Sequence, residues 1–183
     1  LKFFYKRADL VIANSKRVAS EIRKYSKVNT TYIYPGSFSK IIKRKKKIKK
    51  KLNIISIGRL SEEKGFDVLI KAFRNIDKDK YKLYLIGEGN EKKNILTLIK
   101  NYNLKNNIKI LGFKKNVYPY LKKSDLLINP SYFEGFPNVV IEALSCAIPV
   151  ICSKSYGGIY EILKNQTYGD LFESGNYKQL EIK

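Results

Sequence analysis

The feature that most constrains this chain is a series of short apolar runs separated by segments of helical spacing. Ile54-Ile55-Ser56-Ile57 is closed by Gly58, Leu83-Tyr84-Leu85-Ile86 by Gly87, and Ile108 to Leu111 by Gly112. Between them Phe66, Leu69, Ile70 and Phe73, and then Ile95, Leu98, Ile99 and Tyr102, recur at the spacing of one helix face. A short helix over about Val117 to Lys122 leads to a fourth strand, Leu126-Leu127-Ile128. Val140, Ala143, Leu144 and Ala147 mark the next helix, with Pro137 suited to its first turn. Val150-Ile151-Cys152, a weaker helix near Ile159 to Leu163 and a strand near Gly169 to Phe172 complete the series. Strands that alternate with helices predict a parallel sheet covered on both faces. Strands buried on both sides are apolar throughout rather than alternating, as these are. The expected fold class is α/β, a doubly wound parallel sheet.

The first 36 residues read as a separate unit. Leu10 to Ala13 suits a strand, Ser15 an N-cap, Arg17 to Tyr25 a helix and Thr31 to Tyr34 a second strand, ended by Pro35-Gly36. Lys40 to Lys51 then carries nine basic residues in twelve, the composition of a disordered or solvated linker. The expected organisation is therefore residues 1–36, a basic linker over 37–51, and a second domain over 52–183.

Charge narrows the partners. The chain carries 37 basic and 16 acidic residues, a formal net charge of +21. Only six of the basic residues are arginine, and such lysine-rich drift fits a compositional bias of the genome as well as a binding surface. Anionic partners are favoured in either case: phosphorylated substrates, nucleic acid or an anionic membrane surface. There is no histidine, which removes the commonest general base and metal ligand. Cys146 and Cys152 form no metal pattern and read as reduced core thiols. No apolar run reaches the roughly 20 residues of a membrane span, so a cytoplasmic protein is expected. The absence of methionine marks residue 1 as an unnatural start, and the chain is read as a piece of a longer protein.

In open parallel sheets ligands bind at the carboxyl ends of the strands. The unusual residues of this chain collect there. Arg59 and Lys64 flank the first strand-to-helix turn, where two cations and helix amides suit a diphosphate; in a lysine-rich chain they are equally well two solvated charges. Glu134 and Glu142 bracket a helix start whose free amides, from about Gly135 and Phe136 to Asn138 and Val139 on either side of Pro137, suit phosphate or sugar oxygens. A carboxylate accepts two hydroxyl hydrogen bonds at once, which holds a sugar or a ribose; the alternative is that each Glu caps or decorates a helix. Gly87-Glu88-Gly89 lacks the third glycine of a dinucleotide fingerprint, since position 92 is Lys. Phe113 faces either a nucleobase or the core.

Taken in order, these segments resemble the donor-binding domain of glycosyltransferase family 4, which has the GT-B fold. The matching stretches are Gly58-Arg59 with Lys64-Gly65, Leu85 to Gly89, Leu111-Gly112-Phe113, and Asn129-Pro130-Ser131. The most specific is the Glu–seven–Glu segment from Glu134 to Glu142, followed by Pro149-Val150-Ile151 and by Gly157-Gly158 with Glu161. The resemblance covers about residues 52 to 172. It implies a Rossmann-like donor domain, with residues 1–36 as the last strand–helix–strand of an acceptor domain. It also implies roles: Arg59 and Lys64 neutralise the donor diphosphate, Glu142 holds the ribose, and Glu134 contacts the transferred sugar with the amides of Gly135 to Asn138. Gly112 and Phe113 line the base pocket. Transfer proceeds with retention, with no metal and no cofactor.

Three departures accompany the resemblance. Ala147 stands where the family often has Gly, Tyr34-Pro35-Gly36-Ser37 differs from the usual Pro-Asn-Gly turn, and most of the acceptor domain and its returning C-terminal helix are missing. The expected function is transfer of a sugar from a nucleotide-sugar, a UDP-sugar by preference, to a cell-surface glycan or a lipid-linked acceptor. The fragment alone is expected to be inactive. The competing readings are a basic module for anionic membrane or nucleic acid, and another GT-B enzyme. Nucleic acid is disfavoured, because no recognition motif or stacking pattern accompanies the charge.

Overall fold

A computed structural model describes residues 2–5, 7–36 and 50–183. The basic run from Lys40 to Lys51 lies outside the described residues except for its last two.

Six parallel strands build the main sheet: β3 (Leu52–Ile57), β4 (Tyr81–Ile86), β5 (Ile108–Ile110), β6 (Leu126–Asn129), β7 (Val150–Ser153) and β8 (Asp170–Phe172). Their order across the sheet is β5-β4-β3-β6-β7-β8, and every neighbouring pair is parallel. This is the doubly wound, Rossmann-like arrangement, with the change of direction between β3 and β6.

The apolar runs are explained by two cores on opposite faces. Ile54, Leu83, Leu85, Ile128 and Ile151 pack with α3 (Phe66–Phe73), α4 (Lys92–Asn101) and α8 (Tyr177–Ile182). Their chain neighbours Ile55, Ile86, Leu127, Val150 and Cys152 pack with α5 (Tyr118–Leu121), α6 (Asn138–Ser145) and α7 (Ile159–Ile162). Successive strand residues point to opposite faces, so covering both faces favours apolar side chains at most positions, with Ser56 a buried polar exception in β3. Cys146 and Cys152 are buried free thiols, and burial pushes the Cys152 thiol far up.

The N-terminal segment forms its own two-stranded parallel sheet from β1 (Val11–Ala13) and β2 (Thr30–Tyr32), joined by α2 (Lys16–Ser26) and preceded by α1 (Lys2–Tyr5). Ser15 is the N-cap of α2, accepting from the Val18 amide at 3.2 Å. The second strand begins one residue earlier and ends two earlier than its composition suggests. Pro137 stands just before α6 rather than inside its first turn. The 3₁₀ turn Glu62–Lys64, α1 and α8 are too short to show a period.

Candidate functional site

The turns leaving β3 and β6 meet at the change of direction in the sheet. The Glu63 carbonyl accepts from the amides of Tyr132 at 2.8 Å and Phe133 at 3.4 Å, which ties the two turns backbone to backbone. Gly65 makes this approach possible. Its φ is 62°, and a Cβ there would lie 2.2 Å from the Pro130 carbonyl oxygen. The aliphatic stem of Lys64 runs over Gly58, with Cδ and Cγ 3.6 and 3.7 Å from the position of an added Cβ. That path brings Lys64 Nζ to 2.7 Å from Glu134 Oε1. The Glu134 side chain keeps 11% of its exposure and that of Lys64 24%.

The same Glu134 oxygen accepts from Ser131 Oγ at 2.7 Å. Ser131 is buried, its amide donates to Asn129 Oδ1 at 3.2 Å, and its carbonyl accepts from Ser153 Oγ. The sequence shows Ser131 within the matching stretch Asn129-Pro130-Ser131 but assigns it no role; its place three residues before Glu134 is the signal for the bond that holds the carboxylate.

The remaining expected residues occupy the same edge in different ways. Arg59 is exposed on the turn after β3, and its charge helps hold the Glu63 carboxyl below the usual range, after the larger effect of the Ser61 hydroxyl. Among the described residues, the amides of Gly135, Phe136, Asn138 and Val139 have no acceptor. Such groups at a helix start favour an anion or hydroxyl oxygens. Glu142 follows Asn138 by one helical turn on the same face of α6. It is partly buried, and its carboxylate has no hydrogen bond or ion pair among the described residues. Desolvation pushes its carboxyl up from the usual range.

Gly112 packs against the turn after β4: its carbonyl accepts from the Gly87 amide at 3.0 Å, and Glu88 Oε1 lies 3.1 Å from its Cβ position. The adjacent Phe113 is 71% exposed, so of the two settings open to it the ring takes the solvent edge and not the core. Phe136 turns its ring to the N-terminal unit, stacking on Tyr34 with centroids 5.2 Å apart and planes at 26°. Gly135 faces the same unit, with Asn14 Nδ2 2.6 Å from its Cβ position. A cavity of about 460 Å³ lies elsewhere, at the amino ends of β3 and β6 among Leu52, Leu69, Phe73, Leu126 and Leu180. Among the described residues, no cluster of His, Cys, Asp or Glu is arranged to hold a metal ion, and no helix is long and apolar enough to cross a membrane.

An all-parallel doubly wound sheet with cations, acids and free helix amides at its carboxyl edge defines the class of Rossmann-like α/β domains. The family described as Glycosyl transferases group 1 matches residues 37–183, and the chain belongs to that family. This match corrects the assignment to glycosyltransferase family 4. The motifs behind that assignment answer to general needs of the donor-domain fold, tight turns at strand ends and a polar helix start, and do not resolve one family from another.

The chain is 36% identical over 178 residues to an uncharacterized glycosyltransferase of Methanocaldococcus jannaschii, covering 88% of this chain and 44% of the relative. It is 33% identical over 188 residues to the N-acetylgalactosamine-N,N'-diacetylbacillosaminyl-diphospho-undecaprenol 4-alpha-N-acetylgalactosaminyltransferase of Campylobacter jejuni, covering 96% of this chain and 50% of that enzyme. It thus spans about half the length of the curated relatives it matches. Among solved structures, the Anabaena protein HepE in complex with UDP and glucose aligns with a TM-score of 0.84 at 25% identity, over 97% of this chain and 53% of that one. A sucrose-phosphate synthase of Thermosynechococcus elongatus aligns with a TM-score of 0.88 at 25% identity, over 99% and 49%. The fold is the Rossmann-like α/β domain of GT-B glycosyltransferases.

Proposed function

We propose that this chain forms the donor-binding half of a glycosyltransferase that moves a sugar from a nucleotide-sugar, uridine-linked, to a glycan or lipid-linked acceptor with retention of configuration. The observation that carries the reading is the pairing of Lys64 with Glu134 across the β3–β6 junction, beside unpaired helix amides and the unpartnered Glu142. Breaking a sugar–phosphate bond builds negative charge on the leaving diphosphate. Fixed cations and amides stabilise that charge where it develops. In this reading Arg59 and Lys64 face the diphosphate, aided by the amides of Gly135, Phe136 and Asn138. Glu134 meets the transferred sugar, Glu142 takes the ribose hydroxyls, and Gly112 with Phe113 borders the base. The leaving phosphate itself takes the acceptor proton, which leaves no need for a histidine base on this half.

The relatives support the substrate class. HepE was solved with UDP and glucose, and the Campylobacter enzyme is named for α-transfer onto a diphospho-undecaprenol-linked sugar. On this reading residues 1–36 close an acceptor domain, 37–51 link the two, and 52–183 bind donor. The basic run of the linker draws the protein to the anionic cytoplasmic face of a membrane, where a lipid-linked acceptor resides.

Titration calorimetry with UDP and ADP, at low and high salt, tests the proposal. UDP is expected to bind in preference to ADP, and Lys64→Ala and Glu142→Gln are each expected to weaken UDP by about tenfold or more. Binding that follows salt alone with no preference between the bases overturns the donor reading. Unchanged UDP affinity in Glu142→Gln removes the ribose assignment.

A further inference from the structure

Glu161, on α7, reaches out of the main domain to the N-terminal unit. Its Oε2 accepts from the Lys16 amide at 3.1 Å and from the Tyr34 hydroxyl at 2.7 Å, and its Oε1 from the Arg17 amide at 3.0 Å. Lys16 and Arg17 are the first two residues of α2, whose amides have no acceptor within the helix. The carboxylate supplies both acceptors and places a negative charge at the positive end of α2. All three donors lie 127 to 145 residues from Glu161 in the chain.

The segment before Glu161 is bonded to the donor loop. Glu134 donates its amide to the Tyr156 carbonyl at 3.0 Å, and Gly158 donates to the Gly135 carbonyl at 2.9 Å. From the loop, Phe136 stacks back on Tyr34, and Gly135 abuts Asn14. The contacts therefore close a circuit: Tyr34 to Glu161, along residues 156–158, across to Glu134 and Gly135, and through Phe136 to Tyr34 again. We propose that Glu161 is a positioning residue that couples the seating of the N-terminal unit to the order of the donor loop. This rests on the reading that the loop serves a nucleotide-sugar, and it adds a contact to the N-terminal unit that governs how well the loop is formed. Gln cannot replace the carboxylate, because three donors converge on its two oxygens and a Gln amide must turn one N–H toward a donor.

Amide hydrogen exchange by NMR on the 183-residue chain, with and without UDP, tests the coupling in Glu161→Gln and Tyr34→Phe. In Glu161→Gln the amides of Lys16 and Arg17 are expected to exchange about tenfold faster or more, and those of Glu134 and Gly158 to accelerate with them. Strand amides such as Leu83 and Leu85 are expected to stay protected, which separates loop release from global unfolding. Tyr34→Phe keeps the stack on Phe136 and removes one bond, so it is expected to shift the same four amides less. Acceleration confined to Lys16 and Arg17 makes Glu161 a local cap and overturns the coupling. UDP affinity separates the two readings: if no form binds UDP while Glu134 and Gly158 respond, the donor reading fails and the coupling stands. If UDP binds the parent and exchange at Glu134 and Gly158 is unmoved in Glu161→Gln, the coupling fails and the donor reading stands.

Discussion

The stretch from Ser131 to Glu142 has two halves that treat their polar groups in opposite ways. In the first half nearly everything is used. Ser131 bonds through its amide, hydroxyl and carbonyl, the Tyr132 and Phe133 amides reach Glu63, and Glu134 holds Lys64 and Ser131 while its amide meets Tyr156. In the second half four amides find no acceptor among the described residues and Glu142 finds no partner. The first half satisfies itself and so fixes position. The second leaves donors and a partly desolvated acid unsatisfied, the state expected of a surface kept for a ligand.

Three substitutions break or sharpen that contrast. The largest effect is expected from Gly157→Ala. Gly157 has φ 121°, and a Cβ there would sit 1.7 Å from the Glu134 carbonyl oxygen. The loop cannot move aside without losing the bonds of the first half, so destabilisation of about 3 kcal/mol or more is expected in urea unfolding. Gly36→Ala, with nothing within 4 Å, is the matched control and should change little. If both variants unfold at the same urea concentration, the first half is not rigidly seated.

Glu142→Gln probes the second half through stability. Burial raises the Glu142 carboxyl above its unfolded value near 4.5, so the folded state favours the protonated acid. That preference stabilises the fold below the unfolded value and is lost as pH rises through the raised folded value. The Gln variant does not titrate, so its melting temperature relative to the parent should climb as pH goes from about 4 to about 7. The gain should be only about 1–2 °C, since the group keeps much of its water. A melting difference that stays flat across this range assigns the carboxylate a partner that the fold already provides.

The smallest effect belongs to Ala147, which closes α6. The Ile148 amide bonds to Ala143 O at 3.1 Å and the Ala147 amide to Leu144 O at 2.9 Å, the pattern in which a left-handed residue ends a helix. Ala147 has φ 54°, a conformation that costs an L-residue energy. Ala147→Gly should therefore stabilise the chain by about 0.5–1 kcal/mol in the same urea assay, with UDP affinity unchanged. A loss of stability would show that the methyl group contributes more through packing than its backbone costs.

The body of the fold was legible because burial on both faces favours apolar residues at successive positions: Ile54 and Ile55 serve different cores. The residues near the strand ends were legible as a set, since their sequence order follows the strands. What could not be read were partnerships made by the fold. Nothing in the vicinity of Glu161 announces Lys16, Arg17 and Tyr34, because the acceptors of a helix start leave no mark in composition. The backbone cost of Ala147 was harder to read: alanine is a good helix former, and the glycine that the resemblance sets at this position gains its meaning from the observed φ, which places the residue past the end of the helix. The helix α8 buries Leu180 alone, and one anchor makes no period.

The outermost strands of the main sheet, β5 and β8, are only three residues long, and each shows an exposed charge, Lys109 and Asp170. A second molecule trying to extend the sheet would find few open backbone groups and would have to bury a charged side chain to use them. The central strands, six residues each in β3 and β4, are the sticky ones, and they are flanked on both sides. The main sheet should therefore resist lateral strand-to-strand association in concentrated solution.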